Sequence, residues 1–237
     1  MSEPHLRTLG LLGGMSWEST LPYYRLINQT VRERLGGLHS ARLLLYSVDF
    51  AQIERLQHAG DWDAAGALLG RAACALRDGG AQLLVICTNT MHKVADAVER
   101  AAQLPLLHIA DPTGAAIRAA GLTRIGLLGT RFTMEQDFYR QRLVERHGLE
   151  VLVPEPDGRD FVHRVIYDEL CVGQIRDASR EGYRRIIDGL AARGAQGVIL
   201  GCTEIGLLLG ADDVDLPLFD TAALHARAAA LASIGQA

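Results

Sequence analysis

Short apolar runs alternate with longer amphipathic stretches along most of the chain. Residues 8–14, TLGLLGG, form an uninterrupted apolar run closed by glycines, the pattern of a parallel strand buried on both faces. Further strands are expected at residues 42–48, 81–86, 106–109, 124–128, 197–200 and 216–219. Helical stretches separate most of them. Ser16 is positioned as the N-cap of a first helix carrying Tyr23, Tyr24, Leu26 and Ile27, and others are expected at 62–78, 92–101, 112–120, 135–146, 179–193 and 222–232. Strands alternating with helices of this length predict βαβ units and parallel sheets, which is an α/β fold.

The two halves of the chain match each other. LGLLGG at 9–14 corresponds to IGLLGT at 125–130, LLVICT at 83–88 to GVILGC at 197–202, and LPLLH at 104–108 to LPLFD at 216–220. The offsets drift slowly, 116, then 114, then 112 residues. Ordered self-similarity at this length predicts a duplicated α/β half, hence two pseudo-symmetric Rossmann-like domains with parallel sheets. The first is expected to hold 1–111 plus 214–237 and the second 112–213. Because open α/β sheets bind ligands beyond the carboxyl ends of their strands, the matching strand ends are expected to enclose one site in a cleft between the domains.

Composition narrows the function classes. The 237 residues are 49% hydrophobic and 22% charged, with net charge −4 and no basic block, so nucleic acid is not an expected partner. No apolar run approaches the ~20 residues that span a bilayer, and no signal-like N-terminus precedes the first strand, so no membrane association is expected. Cys74, Cys87, Cys171 and Cys202 form neither a CxxC pair nor a zinc spacing. A soluble protein of a reducing, cytoplasmic compartment is expected, without a metal.

Chemistry concentrates at four strand ends: Gly13-Gly14-Met15-Ser16, Cys87-Thr88-Asn89-Thr90, Thr130-Arg131-Phe132-Thr133 and Gly201-Cys202-Thr203-Glu204. Each joins small or hydroxyl residues to the start of a helix, where free N–H groups hold a small anion such as a carboxylate. The same placement can lower a thiol's pKa from ~8.5, so a reactive thiolate is expected to be accessible near neutral pH. No GxGxxG or Walker pattern is present, which argues against a dinucleotide or ATP.

These segments, with GMSWEST at 14–20, TNTMHKVAD at 88–96, IYDELCVG at 166–173 and GCTE at 201–204, resemble the aspartate/glutamate racemase superfamily over nearly the whole chain. The resemblance implies a cofactor-free reaction between two domains, in which one group removes the Cα proton of an amino acid and another returns one on the opposite face. The usual pair is a cysteine in Cys-Asn-Thr and a cysteine in Gly-Cys-Thr-Glu. The second motif is intact and assigns Cys202 as the principal base. In the first, Thr88 occupies the cysteine position, and the internal repeat independently aligns Thr88 with Cys202. Cys87 is the alternative, one residue out of register and, by the strand period of two, on the other face. A threonine hydroxyl cannot rest as an anionic base, so Thr88 is expected to relay a proton or hydrogen-bond a carbanion, and the reaction to be asymmetric. The resemblance implies that the Gly-Cys-Thr-Glu thiol faces the L-isomer.

By the same resemblance Met15, Ser16, Asn89, Thr90, Thr130 and Thr203 contact the amino acid's carboxylate and ammonium. Glu204 either orients the thiol or caps its helix. Dicarboxylate-specific relatives place an arginine and a lysine where this chain has Gln52 and Cys171, so a neutral polar side chain such as homoserine's is an expected substrate, unless Lys93 or Arg131 compensates. Alternative readings are a cofactor-free isomerase or decarboxylase of the same superfamily, and a non-enzymatic amino-acid-binding protein. His92 is read as helix packing or as support behind the site, His108 and His163 as structural or solvated, and Cys74 as core. Arg140, Arg142 and Arg146 alternate with Glu135 and Glu145 as a solvated face. The aromatics Trp17, Tyr23 and Tyr24 suggest a packed contact, and the chain is expected to form a homodimer.

Overall fold

A computed structural model describes residues 6–236. The chain divides into two compact units, one comprising the chain up to His108 and again from His225, the other Ile109–Leu224. The return to the first unit comes later than residue 214. Leu218–Asp220 is a strand of the second sheet, paired with Val198–Gly201, so the segment leading to it stays in the second unit.

The first unit holds a parallel sheet of β1 (Leu9–Gly13), β2 (Leu43–Ser47), β3 (Leu83–Ile86) and β4 (Leu106–Leu107), in the order β2-β1-β3-β4 among the described residues. Helices Trp17–Leu35, Phe50–Ala59, Trp62–Asp78 and Ala95–Ala102 connect them, with a 3-10 segment at Thr90–Val94. Both neighbours of β1 run parallel to it and all five of its residues are buried, which accounts for its continuous apolar run. The following helix buries Tyr23, Ile27 and Val31 at four-residue spacing. Ser16 sits at its N-cap position without a side-chain capping bond. Instead its carbonyl accepts from the hydroxyls of Ser19 (2.8 Å) and Thr20 (3.0 Å).

The second unit repeats the plan with β5 (Arg124–Gly129), β6 (Glu150–Leu152), β7 (Val198–Gly201) and β8 (Leu218–Asp220), in the order β6-β5-β7-β8. Its register matches the first sheet residue for residue. Gly10 pairs with Leu84 and Leu84 with Leu106, while Gly126 pairs with Val198 and Val198 with Leu218. These are the counterparts that the sequence offsets name. Alternation is equally clear: Ile125, Leu127 and Ile199 enter one core cluster, and Leu128, Val198, Leu200 and Cys202 enter another.

The elements not expected include β6 and the helices Phe50–Ala59 and Pro156–Asp168. The strand has three residues, too few to display a period. The helix at Phe50–Ala59 buries only Ile53 and Gln57, so its apolar stripe is thin. Among the described residues no helix is long and apolar enough to cross a membrane.

Candidate active site

In the first unit the loops after adjacent strands β1 and β3 carry Met15, Ser16, Thr88, Asn89 and Thr90. Gly14 has φ +87, and its amide donates to Thr20 Oγ1 at 2.9 Å. This left-handed turn brings Met15 and Ser16, both buried, over the strand end. The Ser19 hydroxyl lies 3.4 Å from the Cys87 carbonyl, connecting the two loops. Gln52 is exposed in the first turn of the helix after β2.

Cys87 and Thr88 are set apart by the end of β3. The Cys87 amide still extends the sheet by donating to the Leu12 carbonyl at 2.9 Å. Its thiol is fully buried, lies 3.9 Å from the Val85 carbonyl, and is pushed far above its ordinary pKa by that burial. Thr88 is half-buried. It follows Leu84 and Ile86 in the alternation, as Cys202 follows Val198 and Leu200.

In the second unit three predicted residues converge on the carboxylate of a fourth, Glu204. Glu204 is 3% exposed. Its Oε2 accepts from the Cys202 thiol at 3.0 Å and the Thr203 hydroxyl at 2.7 Å, and its Oε1 lies 3.9 Å from the Cys171 thiol. Glu204 occupies the N-cap position of the short helix Ile205–Leu208 but makes no side-chain capping bond, and its carboxylate is bonded by the thiol instead. Burial, then the Glu204 carboxylate and Cys171, push the Cys202 pKa well above its ordinary value. Cys202 is therefore held toward the thiol form, with its proton pointing at a carboxylate. A helix of four residues supplies too little dipole to offset the desolvation.

Thr130, on the loop after β5, caps Arg131–Glu135 by accepting from the Thr133 amide at 3.3 Å. Its strand neighbour places it beside the Cys202 loop, since Gly129 pairs with Gly201. The cations that could compensate at Gln52 and Cys171 have other contacts. Arg131 pairs with Asp160 at 2.7 Å, and the Lys93 ammonium stands 4.2 Å over the Trp62 ring.

Of the two readings given for His108 and His163 the structural one fits: His108 is buried, and His163 lies 3.2 Å from the Arg131 amide, placed to accept from it. Cys74 is half-buried, with its thiol 3.3 Å from the Ala101 carbonyl. Arg142 leaves the solvated face to grip Asp111 through two 2.6 Å bonds. Sequence reasoning missed the linkage of Tyr23, His92, His108 and His225 beneath the Thr88 loop, because these residues are dispersed along the chain and no spacing announces them.

The sequence profile of the Asp/Glu/hydantoin racemase family matches residues 12–229. The chain is similar to the crystal structure of a candidate Asp/Glu racemase from Yersinia pestis, with 59% identity, TM-score 0.89, and coverage of 96% of this chain and 99% of that one. It is also similar to an aspartate racemase homologue from Pyrococcus horikoshii, with 35% identity, TM-score 0.80, and coverage of 94% and 97%. The aspartate racemase of Picrophilus torridus shares the fold at 18% identity and TM-score 0.78, over 97% of this chain and 94% of that one. Matched by the family profile over most of its length, this chain belongs to the Asp/Glu/hydantoin racemase family.

Proposed function

We propose that the chain is a cofactor-independent amino-acid racemase in which Cys202 exchanges the Cα proton on one face of the substrate and Thr88 serves the other. The observation that carries this reading is the Cys202 thiol held 3.0 Å from the buried Glu204 carboxylate. A racemase needs a proton acceptor, and neither a threonine hydroxyl nor a protonated thiol is one. Transfer of the Cys202 proton to Glu204 creates the thiolate, which then takes the Cα proton. On the opposite face the Thr88 hydroxyl delivers its proton while receiving another from solvent, so no free alkoxide forms. Cys171, 3.9 Å from the other Glu204 oxygen, helps fix that carboxylate.

The direct test is solvent deuterium incorporation at Cα, followed separately for L- and D-amino acids without added pyridoxal phosphate. Exchange of the L-isomer is expected to be faster, and Thr88→Ala is expected to slow exchange of the D-isomer by roughly 10²-fold or more. Equal exchange of both hands in Thr88→Ala would sink the assignment, and loss of exchange in Cys87→Ser alone would move it to Cys87. Product loss of CO₂ would identify a decarboxylase, and binding without exchange an amino-acid-binding protein.

The neutral groups at Gln52 and Cys171 favour a substrate with a neutral polar side chain, such as homoserine. Gln52 is exposed, so Gln52→Arg introduces a cation with little disturbance of packing. A charge-assisted contact adds roughly 1.5–3 kcal/mol, so kcat/KM for aspartate relative to homoserine is expected to rise about tenfold or more. An unchanged ratio would remove Gln52 from the side-chain site.

A homodimer is consistent with Trp17, Leu21 and Tyr24, which are more than half exposed along one face of helix Trp17–Leu35. The four cysteines are free thiols, which fits the reducing, cytoplasmic compartment proposed for the chain.

A further inference from the structure

We propose that His92 is a positioning residue for Thr88: held beneath the loop by its packing against His108 and His225, it fixes the Thr88 carbonyl and thereby the direction of the Thr88 hydroxyl. This rests on the assignment of Thr88 to the reaction.

The sheet stops holding the backbone one residue before Thr88. The Cys87 amide makes the last bond to β1, to the Leu12 carbonyl. Beyond it the chain turns through Thr88 and Asn89 into the 3-10 segment Thr90–Val94. His92 closes this turn twice. Its backbone amide donates to the Asn89 carbonyl at 3.0 Å, and its Nδ1 stands 2.8 Å from the Thr88 carbonyl. A carbonyl only accepts, so the proton is assigned to Nδ1.

The ring is itself held on the far side. His92 is 3% exposed, with the His108 ring centroid at 4.6 Å and that of His225 at 5.6 Å. His225 is fixed at both nitrogens: Nε2 is 2.8 Å from the Leu107 carbonyl and Nδ1 is 2.8 Å from the Tyr23 hydroxyl. The Leu107 carbonyl assigns the proton to Nε2, so Nδ1 accepts from Tyr23. Burial, then His108, hold the His92 pKa well below its ordinary range, so at neutral pH the ring is uncharged. Among the described residues no group of three or more His, Cys, Asp or Glu is arranged to hold a metal ion.

The second unit shows that this imidazole is not a requirement of the fold. At the 114-residue offset that aligns Thr88 with Cys202, His92 aligns with Gly206, and at the 112-residue offset His108 aligns with Asp220. There a Cβ on Gly206 would lie 3.2 Å from the Asp220 carboxylate, so the same two positions approach each other without an imidazole. In that unit the reacting side chain is oriented directly by Glu204. At the 114-residue offset the counterpart of Glu204 is Thr90, so the Thr88 loop carries no carboxylate at that position, and His92 grips the Thr88 backbone instead. Positional errors near 1 Å are enough to cost about 100-fold in a proton-transfer step.

The experiment compares His92→Leu, which fills the space without a donor, with His92→Asn, whose amide nitrogen lies where Nδ1 was. Thr88→Ala is measured alongside, and melting temperatures confirm that each full-length variant is folded. His92→Leu is expected to slow Cα exchange of the D-isomer up to about 100-fold, mainly in kcat, while exchange of the L-isomer stays within about threefold. His92→Asn is expected to recover most of the loss. If both isomers slow together in His92→Leu without recovery in His92→Asn, His92 is structural only and the positioning role is overturned. If Thr88→Ala slows the D-isomer but His92→Leu does not, positioning fails while the Thr88 assignment stands. If Thr88→Ala leaves both isomers unchanged, the assignment and the positioning role fall together.

Discussion

Replacing Cys202 with alanine is expected to lower racemisation of every accepted amino acid by roughly 10²–10⁴-fold, the range for removing a general acid or base. Both directions pass through this thiol, as base for one isomer and acid for the other, so neither is spared. The Cys202 thiol donates to a carboxylate that is 3% exposed and also accepts from Thr203. Alanine removes one of those donors, so a moderate loss of stability accompanies the loss of activity. Cys202→Ser separates the two effects. Its hydroxyl restores a bond to Glu204 and much of the stability, yet its far weaker acidity leaves exchange close to that of the alanine variant. Polarimetry with a melting curve for each variant gives both readouts. Racemisation within threefold of the unsubstituted protein in Cys202→Ala would exclude Cys202 as the base.

The largest effect on stability is expected from Gly14→Ala. Gly14 has φ +87, and a Cβ there would stand 2.3 Å from the Val48 carbonyl oxygen and 2.7 Å from the Val48 nitrogen. Neither neighbour is the movable end of a side chain. The Val48 amide is itself bonded to the Gly13 carbonyl at 3.0 Å. Left-handed backbone costs roughly 1–2 kcal/mol for a residue with a Cβ, and overpacking adds roughly 1–3 kcal/mol or more. The sum corresponds to a fall in Tm of about 5–20 °C for a chain of this size. Gly36→Ala isolates the first contribution, because Gly36 has φ +76 but nothing within 4 Å of its Cβ position. Gly14→Ala is expected to melt well below Gly36→Ala, and equal melting points would refute the close approach.

The placement of Thr88 shows how far a single sequence carries the argument. The repeat aligned it with Cys202 from six residues on each side, and the strand pairing arrives at the same alignment through hydrogen bonds. The helix after β2 was hidden because Phe50–Ala59 buries too few apolar residues to mark a period. Ser16 illustrates the opposite case: its position was legible, but its backbone carbonyl, not its side chain, ties down the following turn.

By itself the sequence determined the α/β class, the duplicated plan and the four strand-end loops, because burial on both faces writes apolar runs and tight turns write glycines into the chain. Only the tertiary structure decided the state of the groups at those loops. Cys202 rests protonated because folding removes it from water and sets Glu204 against it. His92 meets His108 and His225 because the ends of β3 and β4 and the C-terminal helix bring distant positions together. Protonation and side-chain direction depend on desolvation and on neighbours remote in sequence, and no local pattern records either.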